Sequence, residues 1–336
     1  MSKRIAIFGS SKFETIEYHI ADSLKHLGHT VIVFDYNDAF SIHKKADYWL
    51  RRFNESFSRS IAKKIAEKVV AFKPDLVIAT YRDIHPDFVA TVKQETKGQV
   101  PCVHINPDAL TTFQNQQLFA SEYDHYFTKD PYIQSFMKDK MGISAHVLAE
   151  SFNPRVHKAP NQPKVALEKE IGIDVLAFGS MYPYRTRMLQ KLVDAGVKVK
   201  LYGSKGPFFP NSLSPFFTNK KILGDEKSRL IHGSKIVFNN FHYAEIQGVN
   251  CKFFELNGAG AFQICDRKEI IQQYVNYDAE AVTFESMNEA IEKINYYLKP
   301  SQNDERLAIA AKNASHFAEH HTYENRMKEL FSIIGF

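Results

Sequence analysis

Short apolar runs alternate with amphipathic stretches from the first residues of the chain. Residues 5–8 form an apolar run that ends at Gly9, as expected of a buried parallel strand. An amphipathic stretch over residues 14–27 stops at Gly28, and residues 31–34 form the next apolar run. This pattern predicts a strand–helix–strand unit of a doubly wound sheet.

The same alternation continues and then restarts after a segment that contains several prolines. It predicts further strands at residues 76–79, 103–105 and 123–127, and helices at residues 48–72 and 131–140. Between residues 152 and 170, Pro154, Pro160 and Pro163 stand among few apolar residues, which predicts a linker. Beyond it, the pattern predicts strands at residues 174–178, 197–202, 236–238 and 261–264, and helices at residues 187–195, 287–298, 304–320 and 323–334.

Two alternating halves joined by a linker predict an α/β protein of two Rossmann-like domains that face a central cleft. The expected domains are residues 1–155 and residues 165–318, with residues 319–336 forming a terminal helix that packs back on the first domain. Ligands of such sheets bind beyond the carboxyl ends of the strands. The loops that follow the predicted strands are therefore expected to carry the functional residues.

The composition fits this architecture and excludes other classes. With 336 residues, of which 44% are hydrophobic, the chain can bury two cores, and general disorder is excluded. Apolar runs are all far shorter than the ~20 residues of a membrane span, so a cytoplasmic protein is expected, with a peripheral contact at the inner face of the membrane left open. The net charge of +5 is too small and dispersed to predict nucleic-acid binding. Neither the three cysteines nor the histidines at 242, 320 and 321 have the spacing of a metal site, so no metal is expected.

The first segment with recognisable chemistry follows a predicted strand of the second half. Gly179 and Ser180 stand there, and glycine lets a backbone approach a ligand while a helix start offers free N–H groups to an anion. Arg185 and Arg187 add fork-shaped donors that suit a diphosphate. A surface loop with a solvated arginine pair explains the same residues equally well.

A second such segment contains Lys252 and Glu255, three residues apart and thus on one face of a predicted helix. Gly258 and Gly260 then end the helix and lead into a strand. A carboxylate in this place can accept hydrogen bonds from the two hydroxyls of a ribose. The residues alone leave an ordinary surface Lys–Glu pair as the other interpretation.

The chain from residue 174 onwards resembles the C-terminal half of the CgeB-like (spore-maturation-protein-type) glycosyltransferases. The matching stretches are, in order, residues 174–180 with Arg185 and Arg187, 201–203, 234–239, 249–255, 260–263, and 321–323 with Arg326. They span about half of the chain, whereas the first half matches only in pattern. The resemblance implies the GT-B fold, with a nucleotide-sugar donor on the second domain and the acceptor mostly on the first.

The resemblance also implies roles for individual residues. Glu255 would bind the donor ribose, while Lys252 and Arg187 would face the diphosphate. Lys252 stands where relatives often carry arginine, so a bidentate contact becomes a point charge. Gln247 stands where more distant, retaining relatives carry a glutamate, so either Gln247 or Glu245 is expected on the sugar side. The implied donor site comprises Gly179, Ser180, Arg185, Arg187, Gly203, Gln247, Asn250, Lys252 and Glu255.

The acceptor side offers three candidates for a catalytic residue: Asp108, His85 and His104, each close to the end of a predicted strand. An inverting transfer needs one of them as the general base that takes the acceptor proton. A retaining transfer leaves them to position substrates, and an ordinary structural role stays open for each. No cofactor or metal is expected beyond the nucleotide sugar, since GT-B enzymes do not generally depend on a bound metal.

The expected activity is therefore glycosyl transfer from a nucleoside-diphosphate sugar, UDP-linked first of all, to a glycan or lipid-linked acceptor in cell-surface polysaccharide synthesis. A nucleotide-sugar epimerase or hydrolase of the same fold and a non-catalytic nucleotide-sugar-binding module are the alternatives. An oxidoreductase is disfavoured, because the turn after the first strand lacks the second and third glycines of a dinucleotide fingerprint. Four phenylalanines between residues 208 and 217 are expected either to pack under a long loop or to contact a lipid.

Overall fold

The computed structural model describes residues 2–39, 49–51, 53–108 and 117–336. The chain forms two compact units, the first of Met1–Ala149 with Arg326–Phe336, and the second of Glu150–Asn325. Residues 48 and 52 of the predicted helix 48–72, and the residues directly after Asp108, lie outside the described part.

The first unit is built on a parallel sheet that is covered by helices. Its strands are β1 (Arg4–Phe8), β2 (Thr30–Phe34), β3 (Leu76–Ala79), β4 (Cys102–Asn106), β5 (His125–Thr128) and β6 (Ala145–Val147). Their order in the sheet is β2-β1-β3-β4-β5-β6, so the order reverses between β1 and β3. The helices described here are α1 (Ile16–His26), α2 (Glu55–Ala71), α3 (Asp87–Glu95) and α4 (Pro131–Met141). Phe8, Ile65, Val77 and Phe88 form part of the core between the sheet and α2 and α3.

The second unit repeats this construction with a different strand order. Its strands are β7 (Ile173–Met181), β8 (Val199–Lys205), β9 (Phe217–Thr218), β10 (Ser234–Asn239), β11 (Gln263–Asp266) and β12 (Thr283–Phe284). The order β12-β11-β10-β7-β8-β9 is that of the Rossmann fold, and it reverses between β7 and β10. The helices are α5 (Lys164–Ile171), α6 (Pro183–Asp194), α7 (Gly224–His232), α8 (Cys251–Gly258), α9 (Met287–Tyr297), α10 (Asn303–His320) and α11 (Tyr323–Ile334), the last of which continues into the first unit.

The predicted linker differs from the sequence-based expectation, whereas the loop with four phenylalanines follows the first of its two alternatives, packing against the core. The predicted linker contains α5, which follows Pro163 and buries Leu167 completely. A helix of eight residues spans little more than two turns and carries little periodic signal, which is why the prolines dominated the prediction. In the loop with four phenylalanines, Phe209, Phe216 and Phe217 pack against the core of the second unit. Phe208 is 90% exposed and adopts a left-handed φ of 57°. Among the described residues, none of the helices is long and apolar enough to span a bilayer.

A buried ion pair joins α10 to α5 in the second unit. Arg306 is 1% exposed and donates two parallel hydrogen bonds to Glu168, at 2.6 and 2.7 Å, and a third to the carbonyl of Lys235 at 2.9 Å. Although burial raises the pKa of Glu168, the hydrogen bonds from Arg306 and the charge of Lys164 outweigh it and hold that pKa below its usual value. The carboxylate is therefore ionised at neutral pH, and its stabilisation depends on its partners.

Arg306→Met tests this pair. Because the substitution leaves Glu168 buried with its main partner removed, we expect the free energy of unfolding to fall by about 3–5 kcal/mol. Urea denaturation followed by circular dichroism measures the change. Arg229→Met is the matched control, since it removes an exposed ion pair with Glu170 and should have little effect. Equal losses in the two variants would contradict a special role of the buried pair.

Candidate functional site

Two glycines at the carboxyl ends of neighbouring strands open the site in the second unit. Gly179 on β7 pairs in register with Gly203 on β8, and their φ angles are 120° and 136°, where side chains are rarely tolerated. A Cβ atom on Gly203 would lie only 1.9 Å from the carbonyl oxygen of Gly179. The backbones therefore approach each other in a way that only glycine permits. The approach lies beside the reversal of strand order, where ligands of such sheets bind.

Two cationic side chains converge on Gly179. A Cβ atom there would lie 2.8 Å from Nη1 of Arg185 and 3.4 Å from Nζ of Lys252. The ammonium of Lys252 donates to the carbonyl of Phe178 at 2.6 Å and lies 4.5 Å from the centroid of the Phe178 ring. The space above the glycine is thus bounded by positive groups.

Neutral groups hold Arg185 in this place. Its Nη1 donates to the carbonyl of Ser180 at 2.9 Å, and its Nε donates to Oδ1 of Asn240 at 3.0 Å. Burial first of all, and then the nearby charge of Arg185, lowers the pKa of Lys252 well below its usual value. Burial also lowers the pKa of Arg185. Two buried cations, one of which disfavours the charge of the other, make a site that an anion stabilises.

A network of buried amides fixes the start of α8 beside this site. Asn250 caps the helix, because its Oδ1 accepts from the backbone N–H of Phe253 at 3.0 Å. Its side chain also bonds to that of Asn239 at the end of β10, and Asn239 bonds to Gln263 on β11. Gln263 in turn donates to the carbonyl of Phe253 at 3.0 Å. The first turn of α8, which carries Lys252, is therefore tied to two strands.

Glu255 lies one turn further along α8, with 13% of its side chain exposed. One of its oxygens is 3.0 Å from Nζ of Lys227 on α7, and the other is 3.6 Å from Nε2 of His157. The carboxylate is therefore paired within the second unit by residues that sequence reasoning missed. Lys227 lies in a helix that was not predicted, and His157 lies in the predicted linker. No pattern in the sequence marks either residue.

The other predicted donor-site residues divide into two groups. Ser180 and Asn250 contact the site through Arg185 and the helix cap. Arg187 is exposed, because two residues along a helix correspond to about 200° of rotation, so it points away from the face of Arg185. Gln247 is exposed in the loop between β10 and α8, whereas Glu245 in the same loop is buried.

Of the predicted catalytic residues in the first unit, Asp108 lies at the surface and His85 is buried. Asp108 is 40% exposed and its Oδ2 lies 3.1 Å from Nε of Arg82. His85 is buried just before α3, where its Nδ1 accepts a hydrogen bond from the backbone N–H of Asp87 at 3.2 Å. Asp108 is therefore the more accessible of the two.

His104 is a core residue. It is fully buried on β4, and its Nε2 donates to the carbonyl of Tyr81 at 3.1 Å. Its ring stacks on that of Tyr126, with centroids 5.4 Å apart and planes within 4°. Burial lowers the pKa of His104 to about 4, so the imidazole is neutral at physiological pH. This position suits packing better than proton transfer to a substrate.

Comparisons with known proteins give the class of activity and the fold. Residues 185–332 match the family described as glycosyl transferase-like. Sucrose-phosphate synthase from Thermosynechococcus elongatus superimposes with a TM-score of 0.70 and 10% identity, covering 99% of both chains. Anabaena HepE in complex with UDP and glucose gives 0.66 and 13% identity, again over 99% of both chains. A trehalose-phosphate synthase (UDP-forming) from Burkholderia xenovorans, in complex with glucose-6-phosphate, gives 0.67 and 9% over 99% of this chain and 100% of that one. No curated protein matches this chain by sequence.

The chain is a glycosyltransferase of the GT-B type. The family match covers the helices α6 to α10 and most of α11, and it includes Arg185, Lys252 and Glu255. The solved structures match nearly the whole length of this chain. The candidate site at Gly179 lies at the strand reversal of the second unit.

Lys252→Met tests whether the buried ammonium of Lys252 lowers the stability of the folded protein. Because burial disfavours its charge, we expect the ligand-free variant to be more stable than wild type by about 1–4 kcal/mol. The unfolded chain keeps the Lys252 proton up to its usual pKa of 10.5, while the folded protein releases it at lower pH. The free energy of unfolding of wild type therefore rises with pH between the two pKa values of Lys252. The difference in this free energy between Lys252→Met and wild type becomes smaller over the same range. Urea denaturation of both proteins between pH 6 and 9 measures it, and a gap that widens with pH would contradict the assignment.

Proposed function

We propose that the second unit binds a UDP-linked sugar at Gly179, and that the enzyme transfers the sugar to a glycan or lipid-linked acceptor. The reaction would belong to cell-surface polysaccharide synthesis in the cytoplasm. One observation carries the proposal: the cations of Lys252 and Arg185 converge above a glycine at the strand reversal. A diphosphate needs such a space, with close backbone and positive charge together.

The diphosphate would supply the negative charge that the two cations of the site do not have beside them. Lys252 and Arg185 bond to neutral carbonyl and amide oxygens, which leave their positive charges close together. An anionic ligand between them offsets that repulsion and favours the protonated form of Lys252. The same positive groups would stabilise the charge that develops on the leaving nucleotide during transfer.

Glu255 is proposed as the ribose ligand. Its carboxylate has about four acceptor sites, so it can keep Lys227 and His157 and still accept hydrogen bonds from two ribose hydroxyls. Lys227 and His157 hold the carboxylate in one orientation, which lowers the entropy lost on binding. Gln247, exposed in the loop before α8, is the proposed polar contact on the sugar side.

The choice of UDP is supported by the solved structures of similar fold. Anabaena HepE is described in complex with UDP and glucose, and the trehalose-phosphate synthase as UDP-forming. On the acceptor side we propose Asp108 as the group that receives the acceptor proton in an inverting transfer. Its carboxylate is the most accessible of the three candidates, and it lies 3.1 Å from Nε of Arg82, which holds it near the end of β4.

Glu255→Gln tests the donor site with a side chain of the same shape. Loss of a charge-assisted hydrogen bond to ribose should weaken UDP binding by about 10- to 100-fold, as measured by calorimetry. Glu292→Gln, an exposed position on α9, is the control and should bind UDP like wild type. Equal affinity in Glu255→Gln and wild type would remove Glu255 from the donor site. Failure of wild type to bind UDP or UDP-glucose would overturn the proposed function.

Donor binding should also be accompanied by proton uptake at Lys252. The pKa of Lys252 is lowered in the free protein, and a diphosphate beside it raises that pKa again. Between the two values the free side chain is neutral and the bound one is charged, so binding takes up a proton. Calorimetry of UDP binding in two buffers of different ionisation enthalpy measures the uptake, which should increase as the pH is raised towards the lowered pKa. Uptake that persists in Lys252→Met would assign it to another group.

A further inference from the structure

A cavity lies within the second unit, apart from the residues of the proposed donor site. It has a volume of about 530 Å³ and lies between the loop that follows β10 and the carboxyl ends of β11 and β12. Tyr184, at the start of α6, closes one side of it. The proposed donor site does not use this space, since Gly179, Lys252 and Glu255 are not among the residues that line it.

Aromatic rings form the mouth of this cavity. Tyr243 is 67% exposed and Tyr184 is 40% exposed, and their rings meet edge to face with centroids 5.8 Å apart. The ring of His242 lies 4.2 Å from that of Tyr243. Single exposed aromatic residues are ordinary at protein surfaces, but three rings that border one cavity form a patch suited to a ligand.

A carboxyl group lies at the inner end of the cavity. Asp266 ends β11, and its Oδ2 accepts from the backbone N–H of Phe241 at 2.5 Å. Burial raises the pKa of Asp266 to about 6, so near neutral pH the group is close to its titration and both its forms are accessible. The charge of Asp266, after burial, also contributes to the raised pKa of Tyr184. Polar groups therefore lie behind the aromatic mouth.

The charge around this cavity differs from that of the donor site. Its two cations are already engaged: Arg267 pairs with Glu280 at 3.0 Å and Glu285 at 3.3 Å, and Lys268 donates to the carbonyls of Glu245 and Ile246. Carboxylates outnumber cations along the lining, which disfavours a phosphate or another anion. The lining carboxylates are Glu245, Asp266, Glu269 and Glu285.

We propose that this cavity is a carbohydrate-binding subsite that holds an uncharged part of a glycan. A pyranose has apolar C–H faces and a rim of hydroxyls, so it matches a site with aromatic rings at the mouth and carboxylates inside. The rings of Tyr243 and Tyr184 would cover a sugar face, and Asp266 would bond its hydroxyls. The proposal rests on the proposed function, because glycosyl transfer requires a glycan near the donor.

One loop connects this subsite to the donor site. Asn240 holds Arg185 on the donor side, and the next residue, Phe241, donates to Asp266 on the cavity side. Lys268 fixes the same loop further on through the carbonyls of Glu245 and Ile246. A glycan in the cavity would therefore lie against the same short segment that positions a diphosphate contact. We propose that the sugar bound in this cavity is part of the glycan and not the sugar of the nucleotide donor.

Saturation-transfer NMR with neutral oligosaccharides tests the subsite. The probes are maltotriose, cellotriose and chitotriose at millimolar concentration, each with and without UDP, on the full chain. We expect wild type to bind at least one of them, and Tyr243→Ala to weaken that binding by about tenfold, the loss of one aromatic contact. Tyr296→Ala, which removes a tyrosine of 42% exposure on α9, is the matched control. UDP affinity should be the same in all three proteins.

Three results would overturn the proposal. Wild type that binds none of the three oligosaccharides has no such subsite, and equal binding by Tyr243→Ala places the glycan elsewhere. Weaker binding of UDP-glucose by Tyr243→Ala, with unchanged oligosaccharide binding, assigns the cavity to the donor sugar. The proposed function and the subsite can fail independently. If wild type does not bind UDP, the proposed function is wrong. Oligosaccharide binding that depends on Tyr243 would still establish the cavity as a glycan site.

Discussion

The absence of side chains at Gly179 and Gly203 is the constraint on which the candidate site depends. The ends of β7 and β8 come so close that a Cβ on Gly203 would overlap the carbonyl oxygen of Gly179. The space above Gly179 is then free for the ends of Arg185 and Lys252, which an added Cβ would contact. Strand pairing, backbone conformation and the position of the cations are thus one feature, and none can be changed alone.

The second unit contains buried charges in two different surroundings. Arg306 meets Glu168 through two parallel hydrogen bonds, so each charge has its counterpart and the pair joins two helices. Lys252 and Arg185 have carbonyl and amide acceptors instead, and their pKa values are lowered. The first arrangement stabilises the fold, whereas the second costs stability that a bound anion can offset. That contrast is the physical reason to regard the second as a binding site.

The sequence predicted nine of the twelve described strands, because each of these is a short apolar run that ends in a glycine or a polar residue. It missed β6, β9 and β12, which are only two or three residues long. It missed α3 and α7, which are nine residues each, too short for a clear period. Within the site, Gly179, Arg185 and Lys252 were predicted to belong together, and the structure brings them together. The partners of Glu255 were not predictable, since Lys227 and His157 reach it from distant parts of the chain through tertiary packing alone. Helical periodicity does, however, favour Arg185 over Arg187, because only one of them can share the face towards Gly179.

The loop between β10 and α8 separates two environments of opposite character. On one side Asn240 holds the guanidinium of Arg185, and on the other the backbone of Phe241 binds the carboxyl of Asp266. A diphosphate is attracted to the first side and repelled from the second, whereas carboxylates do not repel an uncharged sugar. Charge alone would therefore direct the nucleotide sugar to the first side and the uncharged glycan to the second, although both ligands carry sugar hydroxyls. Because the same loop contacts both environments, we expect a change at Asn240, or at Lys268, which binds the loop from the end of β11, to alter the geometry of both.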